Sequence, residues 1–465
     1  MEHIEAVLSW ISQLIWGPPL LLLILGTSLY LSFVLKGIQF RFLWYSVKEL
    51  FANKYDAHQG DISPFRALMT TLAGALGTGS IVGVATAITV GGIGAIFWLW
   101  VTSILTMALK FSESLLGVAF RRLDRNGQMV GGPMEYLSQG LGWKKTAAFY
   151  CLVTLASSIA AGNMAQSHSI VHAVHFSWGI DPIICGMILT LVVGVVILGG
   201  VQGISMVATV VFPFMAILYV GGGFIVLFLH WSELPQVFNL IFHSAFSGKA
   251  VLGGWAGSSV IMAIQMGASR AIFSSEAGLG LSAIASAAAK TDNAGKQALI
   301  IMTGTQMTTM IVCTITALVI AVSGLTKTLD LEGVQPLTGA PLVIQAFSQA
   351  FMGGEIVVAL GLILFAFTTI IAWAYYGEKC AEYLFGEKII VFYRILFVLL
   401  ILPGCISGLS FVWSLTDIFN GLMLVPNVIG LIALSTVIKK EVNNFLLSNQ
   451  SEISSINQDT LHPNV

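Results

Sequence analysis

The stretch GALGTGSIVG, Gly74 to Gly83, sets four glycines and a Thr-x-Ser pair between flanks apolar enough for one continuous membrane helix. Glycine weakens a helix by about 1 kcal/mol relative to alanine, so three within six residues favour unwinding around Gly74–Gly79. In lipid each unsatisfied backbone group costs several kcal/mol, and a break must therefore line a protein or water cavity. There its freed groups become ligands. The half-helix beginning near Gly79 and Ser80 offers N–H groups and a positive dipole end to an anion such as a carboxylate. The carbonyls of residues 73–76 suit an ammonium group or a desolvated sodium ion. One break can thus hold both ends of a zwitterion. Close helix packing at Gly79 and Gly83 is the competing account. A second glycine-interrupted polar stretch, IQMGASRAIFSSEAGLG at Ile264–Gly280, favours unwinding.

Other polar residues fall in apolar surroundings. Thr368 and Thr369 in FAFTTIIAW supply hard oxygens, unless they only bond back to a carbonyl of their own helix. Lys110 and Glu113, three apart on one helical face, are expected to neutralise each other as a structural lock near the cytoplasmic gate, with a proton relay as the other reading. His168, His172 and His175 recur at i, i+4 and i+7, a spacing that could hold a metal, but no carboxylate or Cys joins them. Interfacial positions are expected for His172 and His175, with His168 near enough to Gln166 to touch a cavity. Glu276, after the second interruption, is expected to cap the next segment or tune a gate. Cys151, Cys185, Cys313, Cys380 and Cys405 sit in apolar runs without metal-ligand spacing and read as small core residues. No nucleophile elbow, Walker loop or metalloprotease signature is present, so enzyme chemistry and ATP hydrolysis lack residues to carry them.

The elements that position these residues follow from composition. The chain of 465 residues is 56% hydrophobic and 9% charged, with mean hydropathy +0.89, which describes an all-α polytopic membrane protein. It carries no basic surface for nucleic acid. The acidic start, MEHIEAVLSW, and the lack of a small-residue cleavage site argue against a cleaved signal peptide. Windows of about 20 apolar residues predict eleven spans. An extra helix over 15–35 precedes five spans within 67–229 and five within 254–438; residues 1–440 form a single transmembrane domain, and 441–465 a disordered cytoplasmic tail. With this count 18 of the 21 Lys and Arg residues, Arg270 among them, fall on one side, leaving Lys249 and Lys327 outside and Lys110 within a span. The expected placement is multi-pass in the cell (inner) membrane, amino terminus outside and carboxyl terminus inside. Two groups of five have opposite orientations because five is odd, which is the arithmetic of an inverted repeat whose first helices are broken at the midplane.

The ordered landmarks ALGTGSIVGVATAITVGGIGAIFWLW, GGPMEYL, GNMAQ, IFSSEAGLG, AAAKTD, FAFTTIIAWAYYGEKCAEYLFG and VPNVIGL resemble the alanine or glycine:cation symporter family, from about Ile11 to Lys440. That family belongs to the amino acid–polyamine–organocation superfamily with the LeuT-type fold. The resemblance implies a secondary active symporter that uses inward sodium or proton movement to take up a small neutral amino acid such as alanine or glycine by alternating access. Carried over, it implies a substrate site of Thr78, Gly79, Ser80, Gln166, Phe273 and Ser274, closed by Trp373. It also implies a sodium site from carbonyls of Ala73, Leu76 and Phe365 with the hydroxyls of Thr368 and Thr369. The implied ligands are sodium as coupling ion and no other cofactor, and the expected state is a monomer in the bilayer. The family pattern has Asn at the positions of Ser80, Ser275 and His168, and Tyr at that of Glu135. These departures are expected to cluster around the cavity and to alter the cargo, toward a slightly larger or more polar amino acid. An ion channel filtered by the TGS carbonyls, or a sensor that binds without moving its ligand, would use the same residues.

Overall fold

The computed structural model describes residues 2–51, 59–246, 260–325 and 337–448. Lys54, Lys249, Lys327, the start of the span expected from residue 254 and the tail from 449 lie outside them. The helices in chain order are α1 (Glu2–Ile15), α2 (Pro18–Val34), α3 (Pro64–Ala75), α4 (Val82–Gly91), α5 (Ala95–Ala119), α6 (Lys144–Ser157), α7 (Ala165–Trp178), α8 (Pro182–Leu198), α9 (Gly200–Leu229), α10 (Leu234–Phe246), α11 (Val260–Ser275), α12 (Leu281–Ala287), α13 (Ala294–Val322), α14 (Gly339–Ala350), α15 (Gly354–Phe385), α16 (Ile389–Leu399), α17 (Ile401–Ile406), α18 (Leu409–Ala433) and α19 (Ser435–Ser448). Local chemistry sets several starts. Ser63, Asp181 and Asn293 accept the amides of Arg66, Ile183 and Lys296, and proline opens α3 and α8, where its missing N–H costs nothing.

Eight helices or joined helices among the described residues are long and apolar enough to cross a membrane, nine if α3 and α4 are one bent span. The first of them, Glu5–Val34, starts ahead of the expected 15–35. At two further expected positions lie α8, with 17 residues, and the interrupted pair α11 and α12. Large apolar side chains such as Leu191, Ile217 and Phe228 face outward from α8 and α9, as a lipid-facing surface requires.

Both interruptions are present. Helix α3 ends at Ala75, a short 3-10 turn occupies Thr78–Ser80, and α4 departs at 60° to α3. Helix α11 ends at Ser275, and α12 resumes at Leu281. They differ in cause. Around the second, Glu276, Gly278 and Gly280 have φ of 55°, 89° and 81°, the left-handed region that stops a helix. At the first, Gly77 has φ −100°, open to any residue, and what demands glycine is proximity: a Cβ there would lie 2.6 Å from Thr369 Oγ1 and 2.9 Å from Gln166 Oε1. Close packing and unwinding are therefore joint uses of the same glycines. The broken pair is held by α9 and α15 against α3 and by α11 against α4, while α5 lies along α11, α12 and α13.

Two expectations change. Residues 441–448 continue α19, because Val442 and Phe445 are buried, Phe445 against Phe42 and Tyr45, so the tail is helical to Ser448. Arg270 does not lie with the other basic residues. It precedes the second break, 3.6 Å from Asp417 and over the ring of Trp413, whereas Arg121 at the opposite end binds carbonyls of Ala287, Ala289 and Thr291 beyond that break. Closeness in sequence to Lys290 and Lys296 concealed a helix that runs between the two ends.

Candidate functional site

The two breaks meet face to face. Ser80 and Ser274 share a 2.6 Å hydrogen bond, Ser274 also reaches Cys313, and a Cβ on Gly79 would collide with the ring of Phe273. Thr316 donates to the carbonyl of Ser80 and pairs with Tyr219, which fixes the first break from behind. Between the breaks lies a small cavity. Gly74, Ala75 and Gly77 form its backbone wall; Ala161, Gln166, Phe273, Glu276, Thr369 and Trp373 complete it.

Of the expected substrate residues, Gln166, Phe273 and Trp373 therefore line the cavity. Gln166 stands where α7 begins beside a π-turn at Ser158–Met164, and its Oε1 accepts the amide of Thr78 at 3.1 Å while its Nε2 donates to Ala161. Trp373 packs against Gly162, where any Cβ would clash. Thr78 contributes a buried hydroxyl without a partner. Ser80 and Ser274 hold each other across the two breaks.

Four of the expected sodium residues, Ala73, Phe365, Thr368 and Thr369, are joined by hydrogen bonds. Thr369 Oγ1 reaches the carbonyls of Ala73 at 2.8 Å and Phe365 at 3.0 Å, so it joins the end of α3 to α15. Thr368 bonds back to Phe365 and meets the sulfur of Met215. Leu76 is the residue at which α3 terminates. Back-bonding within the helix and service to the break are thus both true of Thr369. Three carbonyl or hydroxyl oxygens within hydrogen-bond distance are the donor set a hard cation prefers.

The expected Lys110–Glu113 pair is not a direct contact, although the two opposite charges still act on each other. Among the described residues neither closes an ion pair within 4.0 Å. Lys110 Nζ donates to Ser275 O at 2.8 Å. Glu113 accepts the Gly280 amide at 3.0 Å, the Ser282 hydroxyl at 3.1 Å and the Asn427 amide at 2.7 Å. Glu113 and not Glu276 is the cap of α12, and the second break outbids a same-helix partner because its freed carbonyl and amide lie buried. Glu276 instead faces the cavity. Sequence reasoning placed it at the break but not in the cavity wall; the signal was a carboxylate inside an apolar, glycine-interrupted span.

The four family departures do not surround the cavity. Glu135 pairs with Arg122 at 2.9 Å, Ser275 accepts from Ala277, Ser80 bonds to Ser274, and His168 stacks on His172 with ring centroids 5.8 Å apart. None lines it. The three histidines form no metal-competent cluster among the described residues.

The family model described as "Sodium:alanine symporter family" matches residues 1–459. The chain is 42% identical to the sodium/alanine symporter AgcS of Methanococcus maripaludis over 96% of its own length and 98% of that protein. It is 36% identical to the probable sodium/glutamine symporter GlnT of Bacillus subtilis, over 94% and 89%. In fold it is similar to MhsT, solved in complex with L-phenylalanine, with a TM-score of 0.60 at 13% identity over 81% of this chain and 90% of that one.

Proposed function

The chain belongs to the sodium:alanine symporter family, and on that premise we propose that it takes up a small neutral amino acid, alanine or glycine, together with sodium. It is an integral membrane transport protein and not an enzyme. The observation that carries the reading is the junction at Thr369, whose hydroxyl touches the end of α3 and whose side chain also borders the cavity. An ion drawn to these oxygens would fix the first break, and the break would then present its amides to the carboxylate of the cargo. Sodium and substrate would thereby favour the same conformation, as coupled binding requires.

In this reading Ala73, Leu76, Phe365, Thr368 and Thr369 serve sodium, and Gln166, Phe273 and Trp373 with the Thr78–Ser80 turn and Ser274 serve the cargo. Ten helices after the first span form two inverted groups of five, residues 67–229 and 254–438, with the amino terminus outside and a monomer as the working unit. Supporting this are the matched positions of the two interruptions and the short cavity between them. Alanine is the cargo named for the relative at 42% identity, and glutamine the one named for a relative at 36%. A screen of labelled neutral amino acids in reconstituted vesicles, with sodium and then choline outside, tests this. Alanine or glycine should enter only with sodium; entry indifferent to sodium, or preference for glutamine, contradicts it.

A further inference from the structure

Three ionisable side chains are buried around the second break, and two are occupied. Lys110 donates to the carbonyl of Ser275, and Glu113 accepts three hydrogen bonds at the start of α12. Glu276 is the third. It is 1% exposed, lines the cavity, and neither carboxylate oxygen meets hydrogen-bond geometry with any group, although the Trp373 indole stands beside it. Its backbone sits at φ 55°, a conformation disfavoured for a residue with a Cβ and characteristic of sites where function retains strain. Counted formally, Lys110, Glu113 and Glu276 leave one negative charge in excess. Glu276 closes no hydrogen bond, and the one cation acting on it, Lys110, also answers Glu113, so the natural complement of the remaining charge is a cation that visits the cavity.

Resting on the uptake reading above, we propose that Glu276 is the anionic subsite for the ammonium group of the transported amino acid. The hard-oxygen cluster around Thr369 lies on the α3 and α15 side, while Glu276 belongs to the second break beside Phe273. In this reading sodium falls to neutral oxygens and the ammonium to a carboxylate, on different elements of the cavity wall. The carboxylate of the cargo goes to the unwound turn at Thr78–Ser80. The substrate class is then an amino acid with a free, charged amino group, and the same carbon skeleton bearing a hydroxyl should be rejected.

The test uses purified full-length protein in saturating sodium and compares binding of alanine with that of lactate, which replaces the ammonium by a hydroxyl. Losing a charged hydrogen-bonded partner should cost Glu276→Gln about thirtyfold or more in alanine affinity. Lactate, which no longer faces a carboxylate, should bind at least as well as to wild type, so that the alanine-to-lactate preference collapses. That preference is a ratio taken on one protein and does not depend on the folded fraction. Glu276→Asp, which keeps the charge, should retain a preference for alanine and stands in if the glutamine variant does not fold. Sodium-induced thermal stabilisation without alanine should be the same in Glu276→Gln and wild type. An unchanged preference in Glu276→Gln, or none in Glu276→Asp, overturns the subsite, as does a lost sodium effect with preference intact, which would make sodium the occupant. Wild-type protein that binds no small neutral amino acid refutes the uptake reading itself, and the subsite with it.

Discussion

Replacing Thr369 by valine keeps nearly the same shape and deletes one hydroxyl. That hydroxyl reaches Ala73 O at 2.8 Å and Phe365 O at 3.0 Å. Phe365 O keeps its bond from Thr368 at 3.0 Å, so the loss falls mainly on Ala73 O, at the last turn of α3. A buried carbonyl left without its donor costs about 1–3 kcal/mol, which sets the expected loss of stability without ligands. The effect on the ion is separate. An oxygen facing a cation contributes about as much as a hydrogen bond to a charged group, about 1.5–3 kcal/mol, or about ten- to hundredfold in sodium affinity. The sodium concentration giving half-maximal alanine uptake should rise by that factor in Thr369→Val, and the stabilisation by sodium in a thermal unfolding assay should shrink with it. Thr369→Ser, which retains the oxygen, should stay within a few-fold of wild type. Uptake in Thr369→Val with an unaltered sodium dependence would remove this residue from the ion site.

Gly77→Ala would place a Cβ 2.6 Å from Thr369 Oγ1 and 2.9 Å from Gln166 Oε1; overpacking of this kind costs about 1–3 kcal/mol and should abolish uptake while expression persists, and normal uptake would show that the break can yield. Glu113→Gln leaves one acceptor oxygen where two now serve Gly280, Ser282 and Asn427, and should lower stability by about 1–3 kcal/mol in thermal unfolding, with an unshifted melting point removing its capping role. Arg270→Ala releases Asp417 and Trp413, the latter packed against Phe273 of the cavity wall, and labelled alanine should dissociate faster from the solubilised protein; an unchanged off-rate would mean that this contact does not close the site.

How much was legible depended on whether partners were local. The first break could be read because its glycines cluster, and the second because φ-permissive glycines follow a polar run. Thr369 could be read because a hydroxyl in an apolar helix has few uses. Lys110 and Glu113 could not, since i, i+3 spacing suggests mutual pairing and nothing in one sequence says that Ser275 and Gly280 lie closer. Arg270 was hidden for the same reason: its partner Asp417 is distant in sequence, and its neighbours Lys290 and Lys296 occupy the other end. Ser80 could be read as part of the first break from its place in GTGS, but its bond to Ser274 of the second break could not.

The central claim is that sodium movement pays for alanine accumulation. Vesicles holding the purified protein, given a tenfold inward sodium gradient worth about 1.4 kcal/mol per ion, should concentrate labelled alanine about tenfold per coupled ion and release it when an ionophore collapses the gradient. Alanine that only equilibrates across the membrane, or accumulates equally after the sodium gradient is gone, would contradict the account.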